Sequence, residues 1–167
     1  MVRKAATRVA KRTTAKTGAT RPPASRLASK PAALRRHNPA SIAPSANYSH
    51  GIEAPAGARL LGIAGQVGRD RDGHIPEGID AQAALAWANV RAVLAEAGME
   101  MSDIVHYFSI LVRREDNAGY DKARVAALGD ARPASTKIYV SGLAQPELLC
   151  EVQAFAAKAD RRKPRNR

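Results

Sequence analysis

Residues 104–112 read Ile-Val-His-Tyr-Phe-Ser-Ile-Leu-Val (IVHYFSILV), a run of β-branched and aromatic side chains that predicts a strand. It is apolar on both faces, so both must be covered: helices on one side, another layer or another subunit on the other. His106 lies mid-strand on the face of Ile104, Phe108 and Ile110. A single histidine there reads as a hydrogen-bonded interior residue, not as a catalyst.

Upstream, Asp80 reads as the N-cap of a helix that runs to Gly98, where a C-terminal glycine belongs. Ala83, Trp87, Val90, Leu94 and Ala97 recur at spacings of four and three, with Gln82, Asn89 and Glu96 on the opposite side. That is a one-faced helix docked on a flat apolar surface, with Trp87 as its central packing residue. Before it, Ala58–Ala64 (ARLLGIA) is a strand closed by Gly65-Gln66, and Asp70–Gly73 (DRDG) is a turn with an Asp-Gly hairpin signal. Downstream come a weaker helix over Asp116–Leu128, interrupted by Gly119, and two strands, Ser135–Val140 and Leu148–Ala156. The order β-β-α-β-α-β-β implies an α+β fold with helices on one face of a sheet.

Alternation then distributes the polar groups. Cys150, Val152 and Ala154 form a small apolar face suited to the helices, which makes Cys150 an inert buried thiol. The side away from the helices is expected to carry Ser135, Lys137, Tyr139, Glu151 and Gln153. This mixture is too apolar for open water and too polar for a dry core, and it suits a subunit interface containing a wet cleft.

The formal charge of +12 over 167 residues is unevenly placed. Residues 1–37 hold 11 Lys/Arg and no acid, and residues 158–167 hold six against Asp160. Residues 38–157 hold 10 basic and 14 acidic residues, a net of −4, so the basic footprint lies outside the part that packs. Residues 1–36 lack the apolar side chains to offset the entropy of ordering, about 1–2 kcal/mol per residue, and are expected to be a disordered basic extension. Residues 37–157 form the domain and 158–167 a basic tail. The extension reads as a solvated tail, an organellar transit peptide or a nucleic-acid arm held by phosphate charge. No run approaches the apolar length of a membrane helix, and a single cysteine excludes a disulfide scaffold. The chain is expected to be cytoplasmic, or in an organellar matrix if the extension is a transit peptide. Gly62, Gly65 and Gly68 lack a phosphate-cradling context, and His37, His50, His74 and His106 are scattered. No cofactor and no metal are expected.

Several short strings occur together in one order and spacing: Asn38-Pro39, Tyr48-Ser49-His50-Gly51, Gly65-Gln66-Val67, Gln82 with Asn89-Val90, Ala97-Gly98-Met99, Asp103-Ile104-Val105, Arg132-Pro133-Ala134-Ser135-Thr136 and Glu151-Val152-Gln153-Ala154. On these the chain resembles the Rid family (reactive intermediate deaminases, also called YjgF) over about residues 36–157. The resemblance implies a chorismate-mutase-like fold: a mixed six-stranded sheet, two helices on one face, and a homotrimeric barrel with a cleft between neighbours.

Deaminating members of that family hydrolyse enamines and imines such as 2-aminoacrylate to a 2-keto acid and ammonia. By resemblance, Glu151 is the water-activating carboxylate and Tyr48 the cleft tyrosine. Gly65, Arg132, Ser135 and Lys137 are the substrate-binding candidates. The family arginine that grips the substrate carboxylate is not carried over, because Pro133-Ala134 is followed by Ser135. Arg132 cannot simply stand in: alternation sends it to the other face, and Pro133 fixes its backbone. A serine in place of a bidentate guanidinium implies a deficit of about 2–3 kcal/mol, roughly 30- to 150-fold in affinity. Lys137, two residues on, is the candidate replacement cation; the alternative is that it pairs with Glu151 or Glu147. The other expected functions are a non-catalytic binder of small carboxylic or keto acids, and RNA association through the tails.

Overall fold

The computed structural model describes residues 33–159. The expectations for residues 1–32 and 160–167, including any transit or nucleic-acid role, lie outside the described residues. The six strands of the expected sheet are present, divided between a four-stranded mixed sheet and a two-stranded ribbon. β1 (Arg35–His37) pairs antiparallel with β2 (Gly51–Glu53). The main sheet comprises β3 (Ala58–Val67), β4 (Ile104–Leu111), β5 (Ala134–Tyr139) and β6 (Cys150–Ala159), in the spatial order β3-β6-β4-β5. Only the β4–β5 contact is parallel. The helix between them supplies the crossover that a parallel pair requires.

The helices are α1 (Ile79–Glu96) and α2 (Asn117–Leu128). The N-cap of α1 is Gly78, not Asp80, which sits in the first turn and pairs with Lys122 at 3.7 Å. Its end is as read. Gly98 takes φ 66°, and the N–H groups of Gly98 and Met99 donate to the carbonyls of Ala95 and Leu94, closing the helix in a Schellman arrangement. Ala83, Ala86, Trp87, Val90 and Leu94 are buried against the sheet, and Trp87 meets Tyr107 edge-on at 5.3 Å. The expected solvent position of Gln82 is corrected: it is buried. Its amide donates to the carbonyls of Pro76 and Glu147 and accepts from the N–H of Leu149. Apolar periodicity misses such a residue because its burial rests on satisfied hydrogen bonds.

The Asp70–Gly73 segment is a turn, with Asp70 Oδ1 accepting from the N–H groups of Asp72 and His74, but it leads into α1 and not into a partner strand. Cys150 is buried in the core, and burial pushes its thiol up to about 12. No helix among the described residues is long and apolar enough to cross a membrane.

Candidate functional site

The pairing registers decide which side chains share a face. Tyr107, Ser109 and Leu111 of β4 lie under the helices, and their neighbours on β5 are Ser135, Lys137 and Tyr139. These three therefore face the helices, contrary to the expectation that they share the open face with Glu151 and Gln153. Their contacts agree. Lys137 Nζ donates to Asn117 Oδ1 (2.6 Å) and Asp121 Oδ1 (2.8 Å) on α2, and the Tyr139 hydroxyl donates to Asn117 Oδ1 (3.2 Å). Lys137 thus pairs with neither Glu151 nor Glu147. A polar face need not point away from the helices. α2 packs mainly on α1 and only side chains bridge it to the edge strand β5, so a polar gap opens on the helix side.

That gap is a cavity of about 340 Å³. Ser135 and Lys137 line it from β5, Tyr107 and Ser109 from β4, and Asp121 and Arg124 from α2; Asn47 and Tyr48 close it from the loop between β1 and β2. Tyr48 is held there from below. Ser49 N–H donates to the carbonyl of Pro133, and Ser49 Oγ donates to that of Arg132 (2.6 Å). Arg132 Nε donates to Ala46 O (2.8 Å) and Nη1 to Gly129 O (2.6 Å) and Ala131 O (2.9 Å). The Arg132 side chain is therefore bonded to backbone carbonyls, braces the Tyr48 loop and does not line this cavity.

Three residues of this cavity carry its charge: Asp121, Arg124 and Lys137. Asp121 Oδ1 accepts from both Arg124 Nε (2.9 Å) and Lys137 Nζ (2.8 Å). Burial would raise its carboxyl, but the hydrogen bonds from Lys137 and Arg124 outweigh that and hold it below the ordinary value. Burial likewise opposes the charge on Arg124, yet the pairing with Asp121 and the adjacent Tyr107 raise its pKa. Asp121 and Arg124 were not among the sequence candidates. The polar series Asn117, Asp121, Arg124 at spacings of four and three marks one side of α2 and was the available signal.

Glu151 lies on the opposite face, beside Val67 of β3 and Ile110 of β4. Gly65 sits at the bulge between Ile63 and Gln66, and a Cβ there would overlap the Glu151 carboxylate. Gly65 thus makes room for the glutamate instead of lining the cavity. The same face carries His106, which touches Phe108 edge-on at 4.7 Å and is half-buried, so desolvation lowers its pKa and keeps the ring neutral near pH 7. Leu60 (77 % exposed), Phe155 (42 %) and Ile138 (40 %) are open on it. Among the described residues, no three His, Cys, Asp or Glu side chains cluster as metal ligands would.

The sheet, the paired helices and the Tyr48 loop define a chain of the YjgF type. Residues 38–158 match the family model described as Endoribonuclease L-PSP. A RutC family protein of Pyrococcus horikoshii is 31 % identical over 117 residues, covering 69 % of this chain and 90 % of that one. Among solved structures, YyfB of Yersinia pestis, a protein of unknown function of the conserved Rid family, superposes with a TM-score of 0.68 at 31 % identity, covering 75 % of this chain and 98 % of that one. RidA from the Antarctic bacterium Psychrobacter sp. PAMC 21119 gives 0.56 at 26 %, covering 73 % and 98 %. This chain belongs to the Rid/YjgF family.

Proposed function

We propose that the cavity on β5 binds a small metabolite and is completed by Glu151 of a neighbouring copy in a homotrimer, where a C=N bond of an enamine or imine is hydrolysed. The observation that carries this reading is that Tyr48, Ser135 and Lys137 meet in one cavity while Glu151 lies behind the sheet on a face rich in open apolar side chains. Within one chain they cannot act on one molecule. A copy packed against the apolar face supplies the missing half of each site, and burying Leu60, Phe155 and Ile138 supplies a driving force for association.

In such a cleft Glu151 accepts a proton from water as the oxygen adds to the C=N carbon and delivers it to the nitrogen, giving a carbinolamine. It then takes the hydroxyl proton and passes it to the nitrogen as the C–N bond breaks. Imine and water give a carbonyl compound and ammonia. The test is ammonia and keto-acid release from an imine generated in the assay, with Glu151→Gln alongside. Release above the uncatalysed rate, lost in Glu151→Gln by the 10²–10⁴-fold typical of a removed acid–base group, supports the reading. Equal rates in both would remove Glu151 from the chemistry.

The second reading, a binder without turnover, is favoured by Ser135 in place of the family arginine and by the engagement of Lys137 with Asp121. Its mark is a ligand-dependent rise in Tm with no ammonia formed.

A further inference from the structure

We propose that Arg124 of α2 holds the carboxylate of the ligand in the β5 cavity, replacing from the helix the guanidinium that the Pro-Ala motif lacks on the strand. This rests on reading the cavity as the metabolite site. Arg124 and Ser135 line the same cavity, one from its helix wall and one from its strand floor. The short Ser135 side chain leaves open the space an arginine would fill there.

Charge accounting points the same way. Arg124 and Lys137 share a single carboxylate, Asp121, so the three groups leave one positive charge in a partly enclosed space. A monoanionic ligand neutralises it. Of the two cations, Lys137 has two of its three donors committed, to Asn117 and Asp121. Arg124 spends Nε on Asp121, and even with the Tyr107 hydroxyl beside it, most of its five N–H donors remain. The side chain is only 9 % exposed and its plane is fixed by the Asp121 bond, so its fork is pre-organised for a planar oxyanion. Tyr48, Tyr107 and Ser135 line the same space and carry hydroxyls suited to the remaining polar atoms of a small acid.

The test titrates the full chain with 2-oxobutanoate and with its methyl ester by calorimetry, and follows the Arg124 Nε–Hε resonance of the unaltered protein. Expected are preference for the acid over the ester, a shift of that resonance on addition of the acid, and about 10- to 100-fold weaker binding in Arg124→Gln. Ser135→Arg in the Arg124→Gln background restores affinity by returning a guanidinium to the cavity. Unchanged binding in Arg124→Gln, with loss in Lys137→Gln, overturns the proposal and leaves the site reading intact. So does an unmoved Arg124 resonance at saturation, which holds even if Arg124→Gln fails to fold. Binding of neither acid nor ester to the unaltered protein removes the metabolite-site reading and the proposal together.

Discussion

At the scale of single residues, the charged side chains around the cavity divide into those that face it and those that hold its walls in place. Arg132 belongs to the second group. Its bond to Ala46 O fastens the start of β5 to the loop that carries Tyr48, while its bonds to Gly129 O and Ala131 O hold the side chain in place. Each hydrogen bond from a charged group contributes about 1.5–3 kcal/mol, less where solvent competes. Arg132→Ala is therefore expected to cost about 1–3 kcal/mol in chemical denaturation and to weaken ligand binding by freeing Tyr48. Unaltered stability and affinity would show the loop to be held by Ser49 alone. Asp121 gives the acid limb of stability. Its folded pKa lies below the unfolded value, so its contribution is present above the ordinary carboxylate range and is lost as pH falls through the depressed value. Asp121→Asn is expected to flatten the stability profile below pH ~4, readable by thermal melts across pH.

At the scale of elements, what the sequence disclosed follows from what periodicity measures. The apolar spacing of 83, 87, 90 and 94 reports burial directly, and the apolar face and C-terminal end of α1 lie as read. β4 is apolar on both faces as read, but the register shift between Ile104 and His106 puts Ile104 in the helix-side core instead of on the face of His106. The β6 faces are also as read, because Cys150, Val152 and Ala154 are small and apolar on one side only. The β5 faces were not legible. Ser135, Lys137 and Tyr139 are polar yet lie under a helix, since α2 bridges to them through Asn117 and Asp121. Alternation says which residues share a face, but not which face the helices take. The resemblance pointed to Glu151, Tyr48 and Ser135 but not to Arg124, which lines one cavity with Tyr48 and Ser135, since a resemblance carries over only positions that match a motif.

The approach of elements supplies a comparison of glycines. A Cβ on Gly68 would lie 2.5 Å from Gln82 Cα, against the backbone of α1. On Gly119 it would meet the Cγ2 methyl of the Ile79 side chain at 2.7 Å. Backbone cannot yield as a side chain can, so Gly68→Ala is expected to cost about 1–3 kcal/mol and Gly119→Ala less. Thermal or denaturant unfolding of the two variants checks the order; a larger loss at Gly119 would contradict this description of the β3–α1 approach.

At the scale of the whole molecule, the distribution of apolar surface is lopsided. One side of the sheet is covered by α1 and, across the cavity, by α2. The other leaves Leu60, Ile138 and Phe155 open around Glu151 and a neutral His106. A chain that kept this face in water would bear an unpartnered apolar surface, and a site split by its own sheet would never assemble. Packing the open face of each copy against the cavity edge of the next, around a three-fold axis, remedies both. Sedimentation of the full chain near pH 7 puts this to the test: a particle of about 53 kDa, three times the 17.8 kDa chain, is expected, and a particle of 17.8 kDa would contradict it.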